Sequence, residues 1–504
     1  MSLINCVNCM TDKHDSCLNE KSCLCSVETN HNVPTLKDGV KVIESEIRTE
    51  ILLHHYVIQH EYTFTGPERI NKVTEVLLKF YKFVTIMSTE ELLYFNGKVY
   101  DYLNAEKIVK RETEKLIPNC PAHDVSEVVS KIKRLTYADL EDFDKDPRLI
   151  SVENGILNIE TLELKPHTPE HLSKVLLPVE YHKPESEDIE ENLKDTLFWN
   201  YLKRSFTVEG EFRKEDFETV LEIIASPFVK RHVDEKAFMF LGGGENGKSV
   251  CLEYIESMLG IDNVSHIPLQ TIAEDKFMSA DLDGKSANIF SDLEQNELRH
   301  SGKIKNIVSG EGLQVQKKHK NPFTLYPFCK LMFSCNRFPK SFDQSQGFFR
   351  RWIIVKWERN FENDPERLPL LKEDLKNNRE ERNQVFSNLV GLANKLNQSG
   401  KFSYSKDWKT IQKEWNENAD PLNTFIDNYI LDSDNNKTKR ETYNFYKEIC
   451  HEKGEIPLGM GQFSKAFAEM FDEDIVREGK RVERVWLNID FKRPKQEKLK
   501  EAES

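Results

Sequence analysis

The stretch Ala237-Phe-Met-Phe-Leu-Gly-Gly-Gly-Glu-Asn-Gly-Lys-Ser249 decides the fold of this chain. Its first five residues form a short apolar run, which predicts a buried parallel strand. Its remaining residues fit the pattern G-x-x-x-x-G-K-S, and an amphipathic helix follows them from Val250 onward. A strand, a glycine-rich loop and a helix are the three parts of a phosphate-binding loop, so we expect a nucleoside triphosphate to bind here.

The residue types of this loop indicate how the phosphates are held. The glycines let successive backbone N–H groups surround phosphate oxygens, and the start of the following helix adds the positive end of its dipole. Lys248 is expected to reach the β- and γ-phosphates, and the Ser249 hydroxyl to ligate Mg²⁺. The expected ligands are ATP and Mg²⁺, and the predicted ATP-binding residues are Gly242, Gly243, Gly244, Glu245, Asn246, Gly247, Lys248, Ser249 and Val250.

Two further apolar runs deliver polar residues to the same predicted site. The run Ala287–Phe290 leads to Asp292 and Glu294, and the run Lys330–Cys335 leads to Asn336. One carboxylate holds Mg²⁺ and another orients or deprotonates the attacking water, with Asp292 the first choice as metal ligand and Glu294 the second. Asn336 is expected to hold the water against the γ-phosphate; alternatively it caps a turn before Pro339.

Two adjacent arginines, Arg350 and Arg351, lie just before the strand Ile353–Val355. Such a pair can reach a phosphate bound by a neighbouring subunit and stabilise the charge of the transition state there. The alternative is a surface pair bonded to local acids.

A basic segment separates the second and third strands. Residues 303–320 carry five lysines against Glu311, which gives a local charge of +4 in a chain whose formal charge is 71 − 85 = −14. Leu313–Pro322 and Phe323–Tyr326 predict a hairpin with a basic tip that contacts the phosphate backbone of DNA, although a solvated turn is the alternative. The predicted DNA-binding residues are Lys317, Lys318, His319 and Lys320.

Composition narrows the class of protein. The 504 residues contain no apolar run near the roughly 20 residues of a membrane span, and the polar, Cys-rich beginning is unlike a signal peptide. We therefore expect a cytoplasmic protein without membrane contact. The acidic balance disfavours coating of nucleic acid by the whole surface but allows local basic patches.

Cysteines concentrate at the beginning of the sequence. Cys-x-x-Cys and Cys-x-Cys pairs with histidines between them can supply four ligands to a tetrahedral Zn²⁺, although a disordered Cys-rich tail is the alternative. The zinc ligands are then four of the following residues, or fewer with a histidine: Cys6, Cys9, Cys17, Cys23 and Cys25.

The remaining pattern predicts an α/β protein with several domains. Residues 41–92 indicate mostly helix, 149–164 a β-hairpin that turns at Asn154-Gly155, and 193–224 further helix. The predicted divisions are a Cys-rich tip (1–35), a mixed α/β domain (36–230), the P-loop core (231–400) and a C-terminal unit (415–495).

Together these motifs resemble the superfamily 3 helicases, and more closely the phage, plasmid and poxvirus primase–helicase family, over residues 60–490. The resemblance implies an AAA+ P-loop core, a ring that is usually a hexamer, travel along single-stranded DNA, and a C-terminal winged-helix domain. It also implies that Arg350 or Arg351 is the arginine finger. The family commonly carries glutamates where this chain has Asp292, and no priming domain is recognisable upstream.

The sequence thus predicts an ATP-hydrolysing replicative DNA helicase of a virus or plasmid in a prokaryotic host cell. Its expected partners are single-stranded or forked DNA, further copies of itself and a separate primase. Two alternatives stay open: an initiator or loader that binds the replication origin and uses ATP for assembly, and a helicase–primase whose priming site is not recognised.

Overall fold

In a computed structural model of the chain, the described residues are 53, 56, 57, 64–318, 321–365, 367–452, 457–478 and 481–492. The chain divides into two compact units, Met1–Ala138 and Asp139–Ser504. This division falls inside the predicted segment 36–230, because strands and helices after residue 149 share a hydrophobic core with the P-loop sheet.

The described part of the first unit packs helices against one small sheet. The sheet order is β3-β2-β1-β4, and helix residues such as Val76, Val109 and Ile132 form the core with Phe83 and Leu92. Its elements are α1 (Arg69–Phe80), β1 (Phe83–Ile86), β2 (Glu91–Phe95), β3 (Tyr100–Asp101), α2 (Ala105–Leu116), α3 (Ala122–Leu135) and β4 (Tyr137–Ala138).

The helical prediction for residues 41–92 is right for α1 and wrong after it. Val73, Val76 and Leu77 of α1 are buried, as their spacing indicates. From Phe83 the chain forms β1 and β2, an antiparallel pair whose connection includes Glu90 at φ 56°. Phe83-Val-Thr-Ile is rich in β-branched residues, which favour a pleated strand over a helix.

The second unit begins with a small four-stranded sheet, ordered β7-β6-β5-β8, and three helices. The hairpin predicted at 149–164 is confirmed, with β5 and β6 antiparallel. Its turn residues are Glu153-Asn154, one position earlier than predicted, because Gly155 already pairs with Val152. The elements are β5 (Leu149–Val152), β6 (Gly155–Asn158), β7 (Glu163–Lys165), β8 (Leu176–Leu177), α4 (Ile189–Leu193), α5 (Leu197–Ser205), β9 (Thr207–Val208), β10 (Glu211–Phe212) and α6 (Lys214–Ala225).

A five-stranded sheet, ordered β12-β13-β16-β11-β17, forms the centre of this unit, and all its strands are parallel. Apolar residues on both faces bury it, as the apolar runs predict. Helices and a separate two-stranded sheet, β14 and β15, connect and flank these five strands. In chain order, the elements of this region are β11 (Ala237–Leu241), α7 (Lys248–Leu259), β12 (Val264–Ser265), α8 (Leu269–Glu274), β13 (Ala287–Phe290), α9 (Gly302–Ser309), β14 (Leu313–Val315), β15 (Phe323–Leu325), β16 (Lys330–Cys335), α10 (Gln346–Phe349), β17 (Trp352–Lys356), α11 (Leu371–Asn377), α12 (Arg379–Ser399) and α13 (Trp408–Ala419).

A smaller, aromatic core organises the C-terminal residues. Phe425, Tyr446, Phe463, Phe467 and Trp486 are buried together, and neighbouring rings lie about 5 Å apart, as in Tyr446–Phe463 at 4.9 Å and Phe467–Trp486 at 5.0 Å. The elements are α14 (Pro421–Tyr429), β18 (Ile430–Asp432), β19 (Lys437–Thr438), α15 (Lys439–Glu452), α16 (Met460–Phe467), β20 (Glu473–Glu478), β21 (Arg481–Trp486) and β22 (Ile489–Phe491).

Candidate nucleotide-binding site

The carboxyl ends of the parallel strands gather the predicted phosphate-binding residues at one edge of the sheet. The loop 242–247 follows β11, Asp292 follows β13, and Asn336 follows β16. A cavity of about 610 Å³ opens at this edge, and residues from all three segments line it. The structure therefore brings together the loop, Asp292 and Asn336.

Two glycines of the loop are required by its geometry. Gly247 precedes α7 with φ 92°, and a Cβ there would lie 3.1 Å from the ring of Tyr201. A Cβ on Gly242 would lie 2.3 Å from the Trp357 carbonyl oxygen. The loop therefore passes too close to Trp357, after β17, and to Tyr201 of α5 for a larger side chain at these two positions.

Lys248 projects back over the loop that precedes it. Its Nζ donates hydrogen bonds to the carbonyl oxygens of Gly242 (2.7 Å) and Gly243 (2.8 Å) and to Oδ1 of Asn246 (3.1 Å). Asn246 is itself fixed, because its Nδ2 donates to the Trp357 carbonyl oxygen at 2.9 Å. Burial lowers the pKa of Lys248 to about 8, against the opposing effect of nearby Asp292.

The two candidate carboxylates occupy different surroundings. Asp292 lines the cavity, with φ 62° and its backbone N–H donating to the Ser334 hydroxyl at 3.2 Å. Glu294 is exposed, accepts a hydrogen bond from Asn296 (Oε2 to Nδ2, 2.7 Å), and is not among the residues that line this cavity. The geometry thus favours Asp292 for chemistry at the phosphates.

One wall of the cavity consists of residues that the sequence motifs did not indicate. On α5, Leu197, Asn200, Tyr201 and Arg204 line it, at the i, i+3, i+4, i+7 spacing of a single helix face. The Tyr201 hydroxyl donates to the Gly247 carbonyl oxygen at 2.7 Å, which fixes α5 beside the loop. The spacing was visible in the predicted helix, but nothing local shows that this face meets the loop.

A further part of the lining comes from the described residues between 361 and 372, which follow β17. Arg204 bonds to Asp364 of this segment (Nη2 to Oδ1, 3.3 Å), and Arg359 bonds to the same carboxylate at 2.6 Å. Arg367 bonds to Glu245 of the loop (Nη2 to Oε2, 2.8 Å). Ion pairs therefore tie this segment to both α5 and the phosphate loop.

Arg350 and Arg351 lie at the other edge of the sheet, because they precede β17, whereas the cavity is at the strands' carboxyl ends. Arg350 is half exposed and pairs with Glu235 (Nη2 to Oε2, 2.6 Å). Arg351 is largely buried and donates to the Gly347 carbonyl oxygen (2.5 Å) and the Ser309 hydroxyl (2.8 Å). Neither arginine lines the nucleotide cavity of its own chain.

The predicted basic hairpin is present as the antiparallel pair β14–β15. Lys318 near its tip is exposed, whereas Lys317 pairs with Asp283 (Nζ to Oδ2, 3.5 Å), a carboxylate that also binds Lys174 at 3.0 Å. Charge from Lys174 and Lys317 holds the pKa of the buried Asp283 below its ordinary value. His319 and Lys320 lie outside the described residues.

An exposed aromatic residue accompanies the hairpin lysines. Phe277 is 39% exposed in the loop that follows α8. The pKa of Asp275 beside it is lowered, mainly by the backbone N–H groups of Met278 and Phe277 and also by the charges of Lys303 and Lys318. The sequence does not indicate Phe277, because a single phenylalanine in a loop gives no signal of exposure.

Two oxygen-bearing side chains at the cavity could hold a metal ion. The Ser249 hydroxyl and the Asp292 carboxylate both line it, and such hard oxygen ligands suit Mg²⁺. Within the described parts of the chain, no group of three or more His, Cys, Asp or Glu side chains could hold a metal ion. The five cysteines of the predicted zinc site, Cys6, Cys9, Cys17, Cys23 and Cys25, lie outside the described residues.

Three protein families match separate segments of the chain. Residues 42–198 match the family described as D5 N terminal like, residues 240–351 a family of unknown function (DUF5906), and residues 417–501 the family described as Poxvirus D5 protein-like. The chain thus matches families described as D5-like on both sides of the phosphate-loop region.

Viral proteins named as helicases are similar to about half of the chain. "Putative helicase 121R" of Invertebrate iridescent virus 3 is 26% identical over 236 residues, 44% of this chain and 24% of that protein. "Putative helicase L207/L206" of Acanthamoeba polyphaga mimivirus is 22% identical over 273 residues, 52% of this chain and 27% of that protein. The matched region spans about a quarter of the length of these relatives.

Among solved structures, the apo C-terminal region of NrS-1 (residues 305–718) aligns over 84% of this chain and 100% of its own, with a TM-score of 0.47 and 11% identity.

In the described part of the chain, no helix has both the length and the apolar character needed to cross a membrane.

Proposed function

We propose that this chain is the motor part of a viral replicative DNA helicase of the superfamily 3 type, with an AAA+ core. It binds and hydrolyses ATP with Mg²⁺ and moves along single-stranded DNA as a homo-oligomeric ring. The observation that carries this proposal is that Lys248, Asp292 and Asn336, from three separate strands, surround one cavity above a phosphate loop. The helicase names of the viral relatives and the matches to D5 proteins support the same class.

The site residues divide the work of hydrolysis. Lys248 leaves the carbonyl oxygens of Gly242 and Gly243 to meet the β- and γ-phosphates, which offer it more negative charge. Ser249 and Asp292 would hold Mg²⁺, which neutralises phosphate charge when bound. Asn336 positions the attacking water. Because its own cavity is at the far edge of the sheet, Arg350 is assigned to a neighbour's γ-phosphate.

Two surfaces are assigned to DNA. Lys318 and the exposed ring of Phe277 combine a cation for the phosphate backbone with an aromatic face for a base, the pairing that single-strand binding uses. In the C-terminal unit, α16 and the antiparallel pair β20–β21 are assigned as the recognition helix and wing of a winged-helix domain. Ring size, host, compartment and a docked primase stay predictions.

The test is ATP hydrolysis and forked-duplex unwinding by the wild-type chain and by Lys248→Ala. We expect the variant to lose hydrolysis by at least about 10³-fold, because the principal phosphate cation is gone. Lys203→Ala is the control, since this helix α5 lysine pairs with Glu190 and does not line the cavity. DNA-stimulated hydrolysis by Lys248→Ala would refute the site assignment.

Further assays on the wild-type protein distinguish the helicase from the two alternative functions. A mass measurement of the assembled species with ATP tests the ring. Sequence-specific footprinting without strand displacement would replace the helicase proposal with an origin-binding initiator. Nucleotide incorporation on a single-stranded template would show that the chain also primes.

A further inference from the structure

Two adjacent lysines near the tip of the basic hairpin lie in different surroundings. The Lys318 side chain is exposed. The Lys317 side chain is 27% exposed, and its Nζ lies 3.5 Å from Oδ2 of Asp283, a residue of the connection between α8 and β13. Of two neighbouring cations, one is therefore held by a carboxylate of its own chain, whereas the other faces solvent.

Asp283 also holds a second lysine that is more deeply enclosed. Nζ of Lys174, a residue that precedes β8, lies 3.0 Å from Oδ1 of Asp283, and the Lys174 side chain is 13% exposed. Gly284 permits this approach, because its φ is 70° and a Cβ there would lie 3.3 Å from Cε of Lys174. The carboxylate thus binds the enclosed Lys174 through one oxygen and the more exposed Lys317 through the other.

The two ion pairs of Asp283 differ in how easily they can open. A buried carboxylate that loses its cation is strongly destabilising, because its charge is then uncompensated. When Lys317 departs, Asp283 keeps Lys174, so the carboxylate stays paired. A partly exposed pair is weakly held, and the phosphates of a DNA backbone offer Lys317 another anion. Lys317 is therefore the exchangeable partner of Asp283.

The body of the hairpin is held by other contacts. Val315, Phe323 and Leu325 of its two strands are buried in the hydrophobic core. Across the strands, Nε2 of Gln314 donates to Oγ1 of Thr324 at 2.5 Å. Because these contacts do not involve Asp283, moving Lys317 from Asp283 to DNA rearranges the tip and leaves both strands in place.

We propose that Asp283 is a positioning residue for DNA binding, which holds Lys317 away from the phosphate backbone when no DNA is bound. Lys318 is free to meet the backbone first, and Lys317 joins it only when a phosphate replaces the Asp283 carboxylate. Asp283 thereby lowers the affinity for single-stranded DNA without touching the DNA. The inference rests on the proposed contact between the hairpin and single-stranded DNA.

The experiment measures the equilibrium affinity of the full chain for a fluorescently labelled oligothymidylate at low, fixed salt and without nucleotide. Asp283→Asn keeps the shape of the side chain and removes its charge, so the affinity should rise roughly three- to fivefold, the effect of one partly exposed ion pair. Asp283→Glu, which keeps the carboxylate, should bind closer to wild type. Asp281→Asn is the matched control: it removes an exposed carboxylate two positions away and should stay within about 1.5-fold of wild type.

Double variants identify the lysine that causes the gain. Asp283→Asn should give no gain when Lys317 is already alanine and the full gain when Lys318 is alanine, because only Lys317 is released. Lys174→Met should have the opposite effect. It removes the enclosed cation of Asp283, so release of Lys317 becomes costly and the affinity should fall about threefold. Adding Asp283→Asn to Lys174→Met should restore the affinity of Asp283→Asn alone.

An equal gain with and without Lys317 would overturn the inference, because it would show a general effect of charge. An unchanged affinity would also overturn it if Asp283→Asn denatures at the wild-type temperature. If that variant is less stable, Lys174→Met decides, and unchanged or tighter binding by it overturns the inference. Failure of the wild-type chain to bind single-stranded DNA would instead overturn the hairpin's part in the proposed function.

Discussion

The two edges of the central sheet differ in how complete they are within one chain. At the carboxyl edge, the phosphate loop, Asp292 and Asn336 face one cavity, and ion pairs hold its walls together. At the amino edge, Arg350 pairs with Glu235 and Lys317 pairs with Asp283, so these cations bind side chains of their own chain.

This difference indicates which roles one chain can perform alone. The proposed nucleotide binding needs groups from one edge, and one chain supplies them. The roles predicted for Arg350 and for the hairpin lysines need a second molecule, a neighbouring subunit or DNA, that exchanges with the internal partners. The following predictions test this division.

The largest effect is expected for Arg350→Ala, which should lower ATP hydrolysis of the assembled protein on the order of 10³-fold. A mixture of Arg350→Ala with Lys248→Ala should recover part of the activity, because a mixed interface joins an intact loop to an intact arginine. Hydrolysis rates across mixing ratios provide the measurement, and a mixture as inactive as its components would place the arginine's action within one chain.

Arg351→Ala is the matched comparison at the amino edge. Its guanidinium bonds to Gly347, Ser309 and Glu235, so its loss should destabilise the fold by about 1–3 kcal/mol. Chemical denaturation of both variants measures this difference. A larger loss of stability for Arg350→Ala would reverse the assignment of the two residues.

Removing each of the two carboxylates that follow β13 should change the rate of ATP hydrolysis to extents that differ by about 10²-fold. Asp292→Asn removes a carboxylate from the cavity and should lower the rate to that extent while ATP still binds. Glu294→Gln alters an exposed side chain outside the cavity lining and should stay within about twofold of wild type. Turnover rates with Mg²⁺ decide, and equal losses would give Glu294 a part in the chemistry.

ATP affinity should fall about tenfold per pH unit above pH 8. Burial lowers the pKa of Lys248 to about 8 in the empty site, and bound phosphates raise it, so binding takes up a proton above that pH. The affinity is then fully present below pH 8 and is lost as the pH rises. Calorimetry at pH 7, 8 and 9 measures it, and Lys248→Arg, which stays charged, should remove the pH dependence.

The smallest effect is expected for single hairpin lysines in DNA binding. Lys318→Ala should reduce the slope of log affinity against log salt for single-stranded DNA by about 0.7, the value of one phosphate contact. Replacing both Lys317 and Lys318 should abolish unwinding and spare basal ATP hydrolysis. Titrations at several salt concentrations test this, and an unchanged slope would leave the hairpin without contact to the backbone.

The strands and the phosphate loop were predictable because their signals are local. The apolar runs at 237–241, 287–290 and 330–335 become β11, β13 and β16, and the hairpin near Asn154 forms with its turn one position earlier than predicted. The helical prediction failed after Phe80, because the β-branched residues of β1 favour a strand although apolar residues continue at helical spacing to Val84.

The walls of the cavity were not predictable, because their residues carry no common local pattern. Asn200 and Leu368 are 168 positions apart in the sequence, and only their shared cavity relates them. Asp364 is buried by Arg204 and Arg359, yet its neighbours Glu362 and Pro365 give it the appearance of a solvated loop residue.

By itself, the sequence determined that this chain has a phosphate loop on a buried strand, followed by strands that end in Asp292 and Asn336, because spacing and hydrophobicity specify such elements directly. Only the tertiary structure decided that Asp292 faces the loop while Glu294 does not, that α5 and residues 361–372 complete the cavity, and that the arginines lie at the other edge. The physical reason is that these relations depend on which strand ends and helix faces pack together, and packing joins residues that are distant in the chain.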